Sequence, residues 1–241
     1  MLEKPTISII TVTLNCAPLL SRLVDSLLAQ DDQDFHWVIV DGGSTDGTLA
    51  AAERFPRERI TLASGPDFGI YDALNKGVAL TRTDYYLVLG ADDRLYPNAL
   101  SSFRKTAQQT QCDLIAAAVE SSTDVLRPMM GQRWLRGGNA YVASHAVGTL
   151  IRRELHARCG FYSNRYVNCA DMHFVLSAVT QGKASIAAAD FVAGQFCDTG
   201  VSSADRLCSI ADAFRIQLAF GENRALQFLL HVGRLAKVLF L

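Results

Sequence analysis

The sequence lacks the features that mark several large classes of protein. Its six cysteines are scattered without a Cys-x-x-Cys pair, which argues against a zinc site and a disulfide framework and fits a reducing cytoplasm. Neither charge sign dominates, since 23 Lys and Arg face 24 Asp and Glu, so no whole-protein field would attract nucleic acid. No apolar run approaches the roughly 18 residues of a membrane span, and no charged-then-apolar leader opens the chain. We expect a protein that starts soluble in the cytoplasm.

Two glycine-rich nucleotide-binding signatures are also missing. The chain contains no G-x-G-x-x-G and no G-x-x-x-x-G-K-[ST]. Their absence disfavours a dinucleotide dehydrogenase and a P-loop ATPase.

Strand and helix patterns alternate through the first half of the chain. A β-branched run over Thr6–Leu14 is typical of a strand covered on both faces, and Pro18 opens a helix with apolar residues at helical spacing. The predicted elements that follow are a strand over 36–40, a helix over about 46–55, a strand near 60–63, a helix over about 70–80 and a strand over 85–89. This alternation predicts an α/β protein with a doubly wound, mostly parallel sheet, which binds ligands beyond the carboxyl ends of its strands.

Polar residues gather where these predicted strands end. They are Thr13, Asp41, Asp67, Asp92 and Asp93. Two adjacent carboxylates after a buried strand are unfavourable unless a cation shares them, and a divalent cation carrying a diphosphate is a suitable one. We interpret the cluster as a site for an activated phosphate compound, although turn-and-cap chemistry is the favoured explanation for Ser44–Gly47.

Four motifs follow one another in the chain: TVTLN, VDGGSTDGT, PDFGIYDALNKG and LGADD. Together they resemble the nucleotide-sugar half of family 2 inverting glycosyltransferases of the GT-A fold, in their bacterial polysaccharide-assembly subgroup. The resemblance is close over about 6–100 and looser over 140–205. The implied domains are a catalytic domain over 1–205, with a Rossmann-like nucleotide-sugar half over 1–95 and an acceptor half over 96–205, and a C-terminal helical extension over 206–241.

The resemblance implies donor-binding roles for matching residues. Val12 and Thr13 would lie against the base and ribose, and Asp41 would accept a hydrogen bond from a uracil-type base. Asp67 and Lys76 would lie near the nucleotide, with Lys76 as a mobile positive charge toward the phosphates. A solvated lysine is the alternative for Lys76.

The acidic motif departs from the fuller Asp-x-Asp-Asp form of the family. Gly90 stands at the first acidic position, and Asp92 and Asp93 remain. One of the two would bind Mn²⁺ or Mg²⁺ and the other a ribose hydroxyl, with no assignment between them. The cation would neutralise charge on the departing nucleoside diphosphate.

Inverting transfer also needs a carboxylate that takes the acceptor's proton. The resemblance assigns this base to Asp171, where the alternative is a helix cap. His145 would touch phosphate or acceptor, or be structural. Arg133 and Trp134 lie in a segment predicted as a mobile acceptor loop or a surface connector, and 197–203 resembles an active-site flap or a plain loop.

The chain is helical in pattern after Asp205. Over 226–241, leucines and valines leave His231, Arg234 and Lys237 on another face. Such a helix suits a membrane surface that carries lipid-linked acceptors, and packing on the protein body or across a homodimer is the alternative.

We therefore expect a metal-assisted, inverting enzyme of the hexosyltransferase type. It would move a sugar from a nucleotide-diphosphosugar donor, UDP-linked by preference, to a hydroxyl of a glycan or a polyprenyl-linked glycan. Transfer would be non-processive, because the chain lacks the Q-x-x-R-W spacing of processive synthases. The cytoplasm, with the inner face of the cytoplasmic membrane, is the expected location, and nucleic acid is not an expected partner.

Two rival functions stay open. The first is a non-catalytic nucleotide-sugar-binding protein, for which Gly90 is the only support. The second, a nucleotidyltransferase, is less favoured because the segment after the first strand is not a glycine-rich, basic loop.

Overall fold

The computed structural model describes residues 3–143, 145–197 and 205–240. Within these ranges nine strands form one sheet between layers of helices. The strands are β1 (Ile7–Thr13), β2 (His36–Asp41), β3 (Ile60–Ser64), β4 (Tyr85–Val88), β5 (Arg94–Leu95), β6 (Leu114–Glu120), β7 (Val125–Leu126), β8 (Thr149–Arg152) and β9 (Ile186–Gln195). The helices are α1 (Ala17–Leu28), α2 (Thr48–Ala52), α3 (Ile70–Leu80), α4 (Ala99–Thr110), α5 (Arg133–Arg136), α6 (Leu155–Cys159), α7 (Ala170–Thr180), α8 (Arg206–Ala219) and α9 (Arg224–Phe240).

The first half of the sheet is parallel and has the order β3-β2-β1-β4. Its strands are apolar on both faces because α1 and α2 cover one side and α3 covers the other. In the register, Asp41 is opposite both Thr13 and Ser64, so three neighbouring strands end together. The predicted α/β class is confirmed, and this common edge is where the sequence pattern predicts a site.

The second half completes the sheet with mixed pairings. Strand β8 lies antiparallel between β4 and β6, and β9 runs parallel to β6 and antiparallel to β5. Asn75 on α3 joins this half to the first, because its side chain exchanges two hydrogen bonds of 2.9 Å with the backbone of Tyr162.

The segment that carries Arg133 and Trp134 forms the short helix α5 and a 3-10 turn over Gly137–Ala140, where a loop is predicted. Arg133 is 2.7 Å from Glu222 in an ion pair, and the backbone carbonyl of Trp134 accepts from Gln217. The segment is therefore fastened to the C-terminal helices.

Helices α8 and α9 pack against each other after residue 205. The sequence pattern separates His231 and Arg234 from the apolar residues of the last helix. The structure turns that polar face toward the protein: His231 stacks on Phe214, and Arg234 donates to the carbonyl of Leu135. In the part of the chain that the structure describes, none of the helices is long and apolar enough to cross a membrane. The domain boundary at 205 stays a prediction.

We predict that Gly77→Ala on α3 destabilises the protein by about 1–3 kcal/mol, because a Cβ there would lie 2.5 Å from Cγ2 of the fully buried Ile10. Gly233→Ala on α9 is the matched control, since its Cβ would meet nothing within 4 Å and should stabilise the helix by about 0.5–1 kcal/mol. Urea unfolding measures both free energies. Equal stability of Gly77→Ala and the parent would contradict the packing of α3 on β1.

Candidate active site

Asp41 ends β2 as a fully buried carboxylate. One oxygen accepts from the hydroxyls of Thr13 (3.0 Å) and Ser44 (2.5 Å). The other accepts from the amides of Gly43 (3.0 Å) and Ser44 (2.9 Å) and from the hydroxyl of Ser64 (2.8 Å). Burial raises the pKa of Asp41, but hydrogen bonds led by those from Ser44 outweigh it and lower the pKa to about 2, so the group is ionised.

These five donors occupy both oxygens of Asp41. The carboxylate therefore orders the loop after β2, and a direct contact between Asp41 and a base stays a prediction. Thr13 has its hydroxyl committed to Asp41, while Val12 is half-buried at the end of β1.

The loops after β1 and β2 are joined by side chains. Asn15 donates its amide to the hydroxyl of Ser44 (2.8 Å) and accepts from the amide of Thr45 (2.9 Å). Asp46 accepts from the amide of Ala17 at the start of α1 (3.1 Å) and from the amide of Thr48 at the start of α2 (3.0 Å). One aspartate thus accepts from free backbone donors at the starts of two helices, although the cap positions themselves are Cys16 and Gly47.

The acidic pair lies just beyond β4. Asp93 is buried, and its carboxylate accepts from the amide of Gly90 at 2.6 Å, whereas Asp92 is half-buried. A Cβ at Gly90 would lie 2.8 Å from one oxygen of Asp92 and 3.2 Å from one of Asp93. The two carboxylates therefore converge on the space over Gly90, and a third acidic side chain at position 90 would collide with them.

Asp93 differs sharply from Asp41. Burial raises its pKa to about 8, the hydrogen bond from Gly90 opposes the rise, and the charge of Asp92 adds to it. A buried carboxylate with one donor and a like charge beside it is an unsatisfied site for a cation. Carboxylate oxygens are ligands that Mg²⁺ and Mn²⁺ accept, usually one or two from the protein with phosphate oxygens completing the shell. The pair fits such a cation, and no cluster of three or more candidate ligands occurs within the described ranges.

Asp67 and Lys76 lie at the loop and helix that follow β3. Asp67 accepts from the amide of Gly69 (2.8 Å), and its second oxygen would be 2.8 Å from a Cβ at Gly42. Lys76 is paired with Asp72 (2.9 Å) and donates to the carbonyl of Pro66 (3.1 Å). The charge of Lys76 is therefore already partnered, and its predicted role toward phosphates stays a prediction.

Phe68, in the loop after β3, is not among the site residues predicted from the sequence. Its side chain is 96% exposed beside Asp67, in a turn where a polar residue would be usual. In the sequence, the one sign of this exposed side chain is an aromatic residue between Asp67 and Gly69, two residues typical of turns.

Asp171 lies in the first turn of α7, one residue inside the helix that the sequence predicts. Cys169 is the cap position, so Asp171 is not the cap. Its carboxylate accepts from the hydroxyl of Tyr71 at 3.0 Å. The Asp171 side chain is exposed, and partial desolvation of its carboxylate by nearby protein atoms raises its pKa, against the lowering effect of hydrogen bonds from the backbone of Met172 and from Tyr71.

Tyr71 brings Asp171 to the edge of the sheet. It sits in the first turn of α3, which begins just after β3, and its own pKa is raised well above the usual value by burial and by the charge of Asp171. Tyr71 is not among the site residues predicted from the sequence, although it lies in the PDFGIYDALNKG motif.

A cavity of about 670 Å³ lies beside the start of α7. Cys169 and Met172, on either side of Asp171 in the chain, contribute to its wall. Met129, Leu135, Ile210, Arg136 and Arg234 also line the cavity. The wall is therefore largely apolar with arginines among it, while Arg133 points to Glu222 instead.

The contacts of His145 are with neighbouring protein groups. Its ring stacks on Phe196 with centroids 4.2 Å apart, and its Nδ1 accepts from the amide of Val147 at 3.4 Å, just before β8. Contact with phosphate or acceptor stays a prediction. The predicted flap over 197–203 lies, from residue 198 onward, outside the described residues.

Residues 8–165 match the protein family described as Glycosyl transferase family 2. The chain belongs to this family. A relative from Mycobacterium bovis named PGL/p-HBAD biosynthesis glycosyltransferase is 47% identical over 187 residues, which cover 72% of this chain and 69% of that protein.

Solved structures share the fold. Staphylococcus aureus TarS superposes with a TM-score of 0.70 at 16% identity over 96% of this chain, which spans 43% of the TarS chain. The mannosyltransferase PcManGT from Pyrobaculum calidifontis, in complex with GDP-Man and Mn²⁺, superposes with a TM-score of 0.69 at 20% identity, over 96% of this chain and 70% of that chain. The predicted GT-A fold with C-terminal helices is confirmed.

We predict that Asp41→Asn destabilises the protein by about 2 kcal/mol at neutral pH. The folded pKa of about 2 lies below the ordinary 3.8, so the stabilisation is present above pH 3.8 and is lost as the pH falls through 2. The difference from the parent in the free energy of unfolding should therefore shrink toward pH 2.

Asp25→Asn is the control for that measurement, because Asp25 forms an exposed ion pair with Arg54 and should change stability by less than about 1 kcal/mol. A pH-independent loss in Asp41→Asn would contradict the ionised state of Asp41.

Proposed function

We propose that this glycosyltransferase moves a sugar from a nucleotide-diphosphosugar, UDP-linked by preference, to a hydroxyl of a glycan or lipid-linked glycan, singly and with inversion. The observation that carries the proposal is the pair of unequal carboxylate sites at one edge of the sheet. Asp92 and Asp93 converge, and among the described residues no cationic side chain pairs with Asp93, while Asp171 accepts a hydrogen bond from the hydroxyl of Tyr71. The first arrangement suits a cation with a diphosphate, and the second suits a proton acceptor.

Asp92 and Asp93 would hold Mn²⁺ or Mg²⁺, which would neutralise the charge that develops on the departing diphosphate. The TarS structure with UDP-GlcNAc and the PcManGT structure with GDP-Man and Mn²⁺ support a nucleotide-sugar donor and a cation for this fold. Val12, Thr13 and Asp67 would line the donor site.

Asp171 would act as the general base. The acceptor oxygen attacks the anomeric carbon, its proton passes to Asp171, and the bond from that carbon to the diphosphate oxygen breaks on the opposite face. An α-linked donor would thus give a β-linked product. Tyr71 would be a positioning residue, because its hydrogen bond fixes the carboxylate and moderates its raised pKa.

The cavity beside α7 would take the acceptor. Its apolar wall suits an acceptor with a hydrophobic portion, and Arg136 and Arg234 suit an anionic group on the same molecule. The name of the M. bovis relative, a PGL/p-HBAD biosynthesis glycosyltransferase, points to dedicated biosynthetic glycosylation of the same general kind. The reaction would take place in the cytoplasm.

The non-catalytic alternative is weakened by the geometry at Gly90. Its support was a missing acidic residue, and the space for such a side chain is filled by Asp92 and Asp93. A glycine there accommodates the pair.

We predict that Asp171→Asn lowers turnover at least about 100-fold while leaving nucleotide binding unchanged, because it removes the base and no donor contact. UDP or GDP release from UDP-GlcNAc, UDP-glucose and GDP-mannose with Mn²⁺ measures hydrolysis, and calorimetry with UDP and GDP measures binding. If the parent and Asp171→Asn both bind a nucleotide and neither hydrolyses any of the donors, the protein is the non-catalytic nucleotide-sugar-binding alternative. A parent that binds neither nucleotide would refute a nucleotide-sugar enzyme.

Tyr71→Phe is the companion variant in the same assay. Loss of the hydroxyl removes a hydrogen bond to ionised Asp171 and so raises the pKa of that group. The acid limb of the pH–rate profile should move to higher pH, with partial recovery of turnover at alkaline pH. A uniform loss at every pH would indicate a purely structural tyrosine.

We predict that Mn²⁺ with UDP raises the melting temperature of the parent but not of Asp93→Asn. Because the folded pKa of about 8 exceeds the ordinary 3.8, ionisation of Asp93 disfavours the fold as the pH rises between these values. With EDTA at pH 7.5, Asp93→Asn should therefore be at least as stable as the parent. Asp190→Asn, at a fully exposed position, should keep the full thermal shift. The same shift in Asp93→Asn would refute a cation site there.

A further inference from the structure

Helix α9 (Arg224–Phe240) presents an uninterrupted apolar face to solvent. Phe228, Leu229 and Phe240 are 59%, 68% and 83% exposed, and Val232 and Leu239 lie between them on the same side at 48% and 63%. At 3.6 residues per turn, positions 228, 229, 232, 239 and 240 fall within one third of the helix circumference. Ala225, Ala236 and Gly233 complete this face, which therefore carries no polar side chain.

The polar side chains of α9 point the other way. Gln227 is buried and donates to the carbonyl of Trp134, Arg234 donates to the carbonyl of Leu135 (2.5 Å for each), and His231 stacks on Phe214 at 4.6 Å. A surface helix of a globular protein normally has the opposite arrangement. Specific hydrogen bonds fix this orientation, and within the described residues the outward apolar face has no cover.

The charges of α9 discriminate between two covers. The helix carries Arg224, Arg234 and Lys237 and has no carboxylate. Arg224 and Lys237 lie on opposite flanks of the apolar face and at opposite ends of the helix, so a second copy packed on this face would bring further cations and no carboxylate from its own α9. An anionic lipid surface would neutralise both cations.

We propose that α9 lies in the interface of a membrane that carries anionic lipid, with its apolar face among the upper acyl chains. Two neighbouring features fit this placement. Trp134 and Met129, which are 41% and 52% exposed, lie on the segment fastened to α9, and tryptophan is favoured at membrane interfaces. Arg234 also lines the cavity beside α7, so an amphiphilic molecule in the same membrane would lie next to that cavity.

Co-sedimentation of the full chain with lipid vesicles tests the proposal. The parent should bind vesicles of phosphatidylglycerol and phosphatidylcholine, bind pure phosphatidylcholine at least about tenfold more weakly, and lose binding in high salt. Leu229→Ser with Phe240→Ser should lower the partition coefficient at least about tenfold. Leu28→Ser with Leu80→Ser, at sites 41% and 40% exposed on α1 and α3, should bind as the parent does.

Arg224→Glu with Lys237→Glu should weaken binding to the anionic vesicles at least about tenfold without altering the circular dichroism spectrum. Failure of the parent to bind either vesicle, or parent-like binding by Leu229→Ser with Phe240→Ser, would overturn the proposal. Light scattering provides the other decisive result: a parent dimer that this double substitution converts to a monomer would assign the face to a second copy instead. Donor hydrolysis by the α9 variants should equal that of the parent, so this test is separate from that of the catalytic carboxylates.

Discussion

The cluster of polar side chains at the strand ends depends on a single buried negative charge. Asp41 ends the second strand with no exposure to water, and donors from the first strand, the third strand and the loop after the second strand converge on it. An ionised carboxylate in such a place is tolerated only while these donors stay in position, so their convergence fixes the loop that Asp46 then ties to the starts of α1 and α2. Asp93, just beyond the end of β4, accepts from the amide of Gly90 and has the charge of Asp92 beside it. One aspartate is thus ionised because its donors outweigh desolvation, whereas burial disfavours the charged form of the other.

Contacts between the first and second halves of the fold are as important as the strand ends. Helix α3 follows the third strand and reaches across with Tyr71 to Asp171 and with Asn75 to the backbone of Tyr162. Tyr162 in turn contacts the hydroxyl of Tyr86 on β4, which bonds to His156. Since burial lowers the pKa of His156 to about 4, this chain of hydroxyls is neutral at physiological pH and joins the halves without adding buried charge.

Local pattern predicted much of this molecule. The helix expected over 70–80 and the polar strand ends are where the β-branched runs and turn residues indicate, because both signals are carried by adjacent residues. The link from Tyr71 to Asp171 joins residues 100 positions apart, and no local signal specifies such a partner. Periodicity likewise showed that the last helix is two-faced, but which face meets the protein depends on carbonyls of Trp134 and Leu135 that only the fold supplies. The sequence also did not predict why position 90 is a glycine. The reason is that the carboxylates of Asp92 and Asp93 occupy the space that a side chain at position 90 would need.

The position of β9 has a consequence for synthesis on the ribosome. Strand β6 is an apolar, alanine-rich segment whose long parallel partner, β9, ends at Gln195. Until that distant strand has left the exit tunnel, one edge of β6 stays open to pairing with another nascent chain. The first-half sheet closes far earlier, because its partners all lie before residue 90 apart from β8. Chaperone binding during translation should therefore concentrate on the interval between the emergence of β6 and that of β9.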